Sequence, residues 1–255
     1  MSMNDQEFPM SPELKTVRNF VNEDLRNAEV FFKHGIDFCC GANQSVQDAC
    51  TQKGIEVVTV LNQLKQVQQT KLHSKSINFS DWDAEFMCSY IIHVHHQYLE
   101  KGLPLAVDLL KKFTVGHKSK FTYLPDLVIL SERLQEELTL YLNEEQTFIF
   151  PYITKLARTW RRGEAYGPLL VRALKQPLSK FMDTQSALIS KTLREIQHLC
   201  KDYEYASNAC ITHKVAFSKL KEVDLDIRQF FFLENDILFP RAIELEQLLL
   251  ASGKL

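Results

Sequence analysis

The sequence predicts an all-α protein in which a small helical N-terminal domain is followed by an up-down four-helix bundle. Helix-forming residues dominate, and the 255 residues include only eight glycines and eight prolines. No segment keeps the alternating apolar and polar pattern of a half-buried strand for long. Beyond about residue 83, four long helical patterns are joined by short connections, which is the arrangement of an up-down bundle.

Composition and charge limit the classes of function. Apolar residues make up 45% of the chain and charged residues 24%, the balance of an ordinary globular protein. The formal net charge of −2 provides no overall field that would attract nucleic acid or an anionic membrane. No apolar run approaches the length of a bilayer span, and the polar start MSMNDQEFPMSPE is not a secretory signal. We therefore expect a cytoplasmic protein without nucleic-acid or membrane partners.

The domain organisation follows from where the helical signals are short and where they are long. In the first part, Ser11 and Pro12 indicate a helix start and Gly35 indicates a helix stop. The polar stretch LHSKSINFSDW has little periodicity and is typical of a linker. The predicted units are a disordered lead-in (1–11), a small helical domain (12–70), a linker (71–82) and the four-helix bundle (83–255).

Each long pattern in the second part predicts one helix of the bundle. Pro104 is expected to kink the first helix, and a loop with two glycines, RRGEAYGP, follows the second. The predicted helices run from Asp83 to about Thr114, from Leu124 to about Trp160, from about Leu178 to Tyr203 and from about Asn208 to Leu250.

The six cysteines show no CxxC and no zinc-finger spacing, so thiols are expected rather than disulfides. Cys39 and Cys40 are adjacent, and a disulfide between neighbours would strain the peptide that joins them. Two interpretations are open for this pair: buried thiols that fill a small core, or exposed thiols with a function. The others are interpreted as helical packing residues: Cys50, Cys88, Cys200 and Cys210.

Two sets of motifs resemble a known family. GIDFCCGA (35–42), followed by SVQDAC, resembles the GIDFCCGG signature of the ScdA-type N-terminal domain. EEQTFIFP (144–151) and LENDILFP (233–240) each close a long helix and resemble the helix endings of the hemerythrin-like domain. The stretch YIIHVHHQYLEKGLP and the tripeptide NAC fit the same domain. This combination resembles the RIC family, the iron-sulfur cluster repair di-iron proteins.

The resemblance implies a hemerythrin-like bundle that holds two iron ions with four histidines and two bridging glutamates. A histidine and a glutamate four residues apart on a helix lie on one face and can reach the same metal. Counting from the nearest motifs, half of the six positions keep the family's ligand. The retained ligands are His96, Glu145 and Glu234, and the other three positions, histidines in the family, hold Tyr141, Gln185 and Phe230.

These substitutions leave three hypotheses open for the bundle. A di-iron centre would need Tyr141 as a phenolate and Gln185 as an amide ligand, although Phe230 cannot coordinate at all. A single metal ion could be held by the retained residues alone. In a metal-free bundle, His96 would partner the two glutamates, because buried unpaired carboxylates are costly. In that case we expect the Phe230 ring to fill the volume that a metal and its ligand would occupy.

The resemblance also implies a setting for the protein. The family repairs iron-sulfur clusters damaged by nitrosative or oxidative stress, so iron-sulfur proteins are the expected clients and a homodimer is the expected assembly. Cys39 and Cys40 are the candidate catalytic residues because GIDFCCGA is intact. The alternative is a metal-free interaction or regulatory module that acts through the thiols or pairs with a competent homologue. With no known catalytic constellation in the sequence, enzymatic activity is left open.

Overall fold

A computed structural model describes residues 12–252 except for residues 13, 25–26, 39–41, 70–78 and 174–177. In that part of the chain all regular structure is helical, apart from an isolated bridge between Thr16 and Ser45, so the predicted all-α fold is confirmed. The chain divides into two compact units, Met1–Asn78 and Phe79–Leu255. The expected lead-in, 1–11, and most of the expected linker lie outside the described residues.

The first unit consists of short helices. The start predicted for the first helix at Ser11 and Pro12 is wrong, because the N-cap is Thr16, whose Oγ1 accepts the Asn19 N–H at 3.1 Å. Gly35, with a φ of +64°, ends the second helix in the left-handed conformation that glycine adopts without strain. The helices are α1 (Val17–Glu23), α2 (Asn27–Lys33), α3 (Val46–Lys53) and α4 (Val57–Gln69).

The loop before α3 is bonded to the start of α1. The Val17 and Arg18 N–H groups donate to the carbonyls of Gln44 at 3.1 Å and Ala42 at 2.9 Å. In return, the Val46 N–H donates to the Lys15 carbonyl at 3.0 Å. Each loop therefore satisfies free N–H groups in the other helix's first turn, which holds the two ends together.

The second unit contains four long helices, three of which include a π-helical turn. A 3₁₀ turn, Phe79–Asp81, precedes them, and a short helix, α9 (Gly167–Arg172), lies in the connection between the second and the third. The first long helix comprises α5 (Ala84–Tyr90), the π turn Ile91–His96 and α6 (Gln97–His117), and the second comprises α7 (Leu124–Glu144), the π turn Glu145–Ile149 and α8 (Phe150–Arg162). The third is α10 (Leu178–Leu199), and the fourth comprises α11 (Ile211–Leu233), the π turn Glu234–Leu238 and α12 (Phe239–Ser252).

These helices form the predicted up-down bundle. Helix α6 packs against α7 and α11, and α10 packs against α7 and α12, so each long helix has its neighbours on two sides. The interior is filled by large apolar side chains, many of them phenylalanines. Within the described residues, none of the helices is both long enough and apolar enough to cross a bilayer.

Two boundaries differ from those predicted. The third helix ends at Leu199 rather than Tyr203, because Lys201, Asp202 and Tyr203 adopt φ angles of +50°, +58° and +61°. Left-handed residues cannot continue a right-handed helix. The fourth helix begins at Ile211, a few residues later than expected.

Pro104, where a kink was expected, lies inside α6, and the helix continues on both sides of it.

Candidate functional site: a buried His–Glu–Glu cluster

His96 is the last residue of the first π turn, and its side chain is fully buried. Its ring lies between two aromatic rings, with centroids 5.4 Å from Phe150 and 5.2 Å from Phe230. The Gln146 amide donates to Nδ1 at 3.1 Å and also to Glu100 Oε1 at 3.1 Å. Since Nδ1 is an acceptor in this arrangement, the ring proton lies on Nε2 when His96 is neutral.

Glu145 and Glu234 each occupy the first position of a π turn. The carbonyl of Glu145 accepts the N–H of Phe150, and that of Glu234 accepts the N–H of Phe239, both five residues further along. A proline follows each of these phenylalanines and has no N–H with which to resume the α-helical pattern. The same local interruption therefore positions both glutamates, and π turns of this kind are frequent at functional sites.

The three retained residues converge in the interior. His96, Glu145 and Glu234 are fully buried, and one potential ligand atom from each lies within 4.8 Å of the other two. His96 Nε2 is 3.3 Å from Glu145 Oε2. Burial raises the pKa of Glu145 well above its usual range, and the charge of Glu234 adds to the effect. Burial likewise raises the pKa of Glu234 to about 8. The neighbouring carboxyls therefore retain a proton at neutral pH, because two adjacent buried charges repel each other.

Two of the replaced histidine positions border this cluster. Tyr141 is fully buried, and its hydroxyl donates to Glu234 Oε2 at 2.9 Å. Burial and the two carboxylates raise the pKa of Tyr141 well above its usual range, so the phenol stays protonated and acts as a donor. Phe230 is also fully buried, with its ring 6.0 Å from the ring of Tyr141. The side chain of Gln185 lies outside the described residues, although its backbone belongs to α10.

The donor set fits one metal ion. One imidazole and two carboxylates suit a divalent transition metal, whose bonds to such ligands are about 2.0–2.2 Å long. Binding would require both carboxyls to lose their protons and the donor atoms to close slightly around the ion. The described residues contain no second group of three histidine, cysteine or carboxylate ligands near one another. Among the described residues the potential metal ligands near one another are therefore the single group of His96, Glu145 and Glu234.

The thiol motif in the first unit is described only on its flanks. Cys39 and Cys40 lie outside the described residues, while Phe38 before them and Ala42 after them are buried.

Sequence reasoning missed two features near the cluster. Gln146 contacts His96 from a helix 50 positions away, and nothing in its local sequence indicates this role. His95, which precedes His96, is also buried, with Nδ1 3.1 Å from Asp226 Oδ1. The third neighbouring histidine, His93, is exposed and contacts the Ser89 carbonyl.

The fold and the cluster together define a class: a helical protein whose four-helix bundle encloses one histidine and two glutamates. Residues 13–68 match the family model ScdA_N, described as a domain of unknown function (DUF542). The chain is also 26% identical over 221 residues to the iron-sulfur cluster repair protein YtfE of Yersinia pestis (strain Pestoides F), with 86% of this chain and 91% of that protein covered. The protein of the same name in Yersinia pseudotuberculosis (serotype O:1b, strain IP 31758) shows the same 26% identity over the same 221 residues. The chain is thus similar to iron-sulfur cluster repair proteins over most of its length, in line with the resemblance that its motifs carry.

Proposed function

We propose that this protein acts in the repair of damaged iron-sulfur clusters and does so without a di-iron centre. The name of the Yersinia relatives, which match along most of the chain, supports the repair role. The observation that carries the second part is Phe230, a fully buried residue whose ring edge meets His96. Phenylalanine has no donor atom, and it stands beside the one retained histidine.

In this proposal the bundle interior is stabilised by a proton and by packing instead of metal ions. The raised pKa values of Glu145 and Glu234 support a carboxyl pair that retains a proton. Tyr141 donates to one of these carboxyls, and His96 lies beside the other. The Phe230 ring occupies space next to them, and burying such a side chain contributes about 1.5–3 kcal/mol.

A single bound metal ion is the second candidate state, because three donor atoms of the correct type already lie within 4.8 Å of one another. Such an ion would polarise bound ligands as a Lewis acid. The two states differ in the protonation of Glu145 and Glu234. Measurement of metal content therefore separates them.

The metal experiment uses the full chain purified from iron-supplemented cells, with metals quantified by mass spectrometry. The metal-free proposal predicts well below one metal ion per chain, both as isolated and after incubation with Fe²⁺, Mn²⁺ or Zn²⁺ followed by desalting. One ion per chain that is lost in the variant E145Q supports the mononuclear state. Two irons per chain would refute both states.

The repair role rests on the thiol motif in this proposal. Cys39 and Cys40 would act on the client, an iron-sulfur protein of the same cytoplasm, and the protein would work as a homodimer. The test measures recovery of an iron-sulfur enzyme after nitric oxide exposure, in cells that lack this protein and are complemented with variants. The double variant C39S/C40S should fail to restore recovery, whereas C200S, which changes a buried thiol, should restore it. Equal recovery with both variants would show that Cys39 and Cys40 are not required for repair.

A further inference from the structure

The bundle unit also contains a cavity of about 1010 Å³ that no sequence pattern indicates. The end of α6, the segment that follows α10 and the start of α11 enclose it. Its lining includes His117, Cys210 and His213, three residues that take no part in the His96 cluster.

Cys210 is not the packing residue that the sequence suggested. It is exposed, and it is the N-cap of α11, a helix of 23 residues. Its side chain makes no capping hydrogen bond to that helix. The sulfur instead lies 3.5 Å from His117 Nε2, across 93 positions of sequence. An exposed thiol at a helix N-terminus beside an imidazole has the surroundings of a reactive cysteine.

The tautomer of His117 suits it to act as a base. Its Nδ1 lies 3.1 Å from the Phe113 carbonyl, which can only accept, so Nδ1 carries the proton. Nε2 of the neutral ring is then an acceptor that faces the Cys210 thiol. A nucleophile, a base within hydrogen-bond reach and a third group that orients the base form the arrangement used in nucleophilic catalysis.

His213 is an independent sign that the cavity accommodates a polar ligand. Its ring lines the cavity and is only 6% exposed, and Nε2 has no hydrogen-bond partner among the described residues. The ring stacks on Phe113 with centroids 4.5 Å apart, which fixes its orientation. Burial lowers the pKa of His213, so it is neutral at physiological pH. Buried polar atoms usually have a partner, and a bound molecule would supply one here.

The cavity wall is held in an unusual conformation. Lys201, Asp202 and Tyr203 are consecutive non-glycine residues with positive φ, a costly arrangement that often occurs at functional sites. Charges of both signs border the cavity: Lys120 and Lys201 are positive, and Asp202 and Glu204 are negative. Cys210, His117 and His213 do not form a three-ligand metal group among the described residues. The features favour thiol chemistry on a ligand that carries both charges.

We propose that Cys210 undergoes thiol–disulfide exchange with a small zwitterionic disulfide, one bearing carboxylate and ammonium groups, and that His117 is its base. His117 Nε2 takes the proton of the Cys210 thiol, and the thiolate attacks one sulfur of R–S–S–R. The bond from Cys210 to that sulfur forms as the disulfide of the ligand breaks, and the released thiolate takes the proton back from His117. The products are a mixed disulfide at Cys210 and one free thiol, so electrons and protons balance.

The test incubates the reduced full-length protein with cystine and locates the mixed disulfide by peptide mass mapping over time. Among Cys50, Cys88, Cys200 and Cys210, the last should react first. The variant H117Q should slow the reaction at Cys210 by about tenfold or more near pH 7, as expected for loss of a general base. It should also change the pH profile of that reaction. H198Q, a substitution on another helix of the same unit, is the matched control and should react like the wild type.

The ligand class is tested with bis(2-hydroxyethyl) disulfide, which is small and uncharged. Because a more acidic leaving thiol reacts faster with any thiolate, each rate is divided by the rate of the same disulfide with free N-acetylcysteine. On this scale cystine should react faster than the neutral disulfide at Cys210, and the preference should disappear in K120Q/K201Q. A preference for the neutral disulfide, or no preference, would overturn the proposal that the ligand is zwitterionic. Should H117Q unfold, the pH profile of iodoacetamide alkylation of wild-type Cys210 replaces it. A profile identical to that of free cysteine would overturn the role of His117.

Discussion

Tyr141 and Phe230 occupy equivalent places on their helices, four residues before Glu145 and Glu234, yet they stabilise the interior in different ways. The Tyr141 hydroxyl supplies a hydrogen bond to a buried carboxyl, while Phe230 supplies only apolar surface. A buried carboxyl without a donor loses the hydration it had in the unfolded chain and receives nothing in return. The single hydroxyl of Tyr141 therefore supplies the donor that the buried Glu234 carboxyl needs.

Replacing Tyr141 with phenylalanine should lower the free energy of unfolding by about 1–3 kcal/mol, because it leaves a buried Glu234 oxygen without its donor. Urea denaturation followed by circular dichroism measures the change. The control is Tyr152→Phe, which removes a hydroxyl bonded at 2.7 Å to Glu246 in a partly buried position. The control substitution should lower the free energy of unfolding by a smaller amount, since water can replace the lost hydrogen-bond partner. An equal loss in both variants would contradict the special role of Tyr141.

The pKa of Glu234 predicts how stability depends on pH in the presence of a chelator. The folded protein holds a proton on this carboxyl up to about pH 8, whereas the unfolded chain releases it near the usual value of 4.5. The stability that comes from the neutral form is therefore fully present below pH 4.5 and is lost as pH rises through about 8. The free energy of unfolding should fall over this interval by at most about 1.4 kcal/mol per pH unit.

Urea titrations at several pH values measure this slope, and the variant E234Q should flatten it. Glu132 is a suitable control, because it is a half-exposed carboxyl paired with Lys111 on the surface. E132Q should leave the slope unchanged. Stability that rises with pH between 5 and 8 would be inconsistent with a protonated buried pair.

At the scale of elements, a π turn is the backbone feature shared by all three residues of the cluster. Each of the retained ligands is the first or last residue of such a turn: His96, Glu145 and Glu234. The extra residue in a π turn rotates the helix on either side, so the ligand can face the interior while the flanking α-helices keep their own packing. All three residues of the cluster thus share this backbone feature, although half of the implied ligand positions hold other residues.

If the backbone is preserved, restoring the side chains should restore metal binding. The triple variant Y141H/Q185H/F230H restores the implied set of six ligands, which lie on all four long helices. We expect it to bind up to two irons per chain after anaerobic loading with Fe²⁺. Metal analysis and optical spectroscopy measure the result. The double variant Y141H/Q185H, which keeps Phe230, is the control and should bind less. A folded triple variant that binds no iron would indicate that the helices have moved from the family's arrangement.

On the scale of the whole molecule, the chain consists of two compact units that carry different candidate chemistry. The first unit contains the Cys39–Cys40 motif, and the second contains both the His96 cluster and the Cys210 cavity. The second unit has its own extensive apolar core. A unit of this size with its own core is expected to fold alone.

We therefore expect a fragment of residues 79–255 to fold cooperatively, with helical circular dichroism and the same pH-dependent stability as the full chain. It should also retain the reaction of Cys210 with cystine, but it should fail in the cellular recovery test because it lacks Cys39 and Cys40. A fragment that is helical but melts without cooperativity would show that the bundle depends on the first unit.

The sequence by itself determined the helical class, the two-part organisation and the resemblance to the family, because these follow from local periodicity and from short contiguous motifs. It also identified His96, Glu145 and Glu234 as a group, although only through the resemblance. Its interpretation of Cys210 as a packing residue was wrong, and it gave no sign of Gln146. Both residues acquire their role from a contact with a distant segment, Cys210 with His117 and Gln146 with His96. Contacts between distant segments produce no periodic pattern in the sequence. Only the packing of the helices brings such residues together and decides their chemistry.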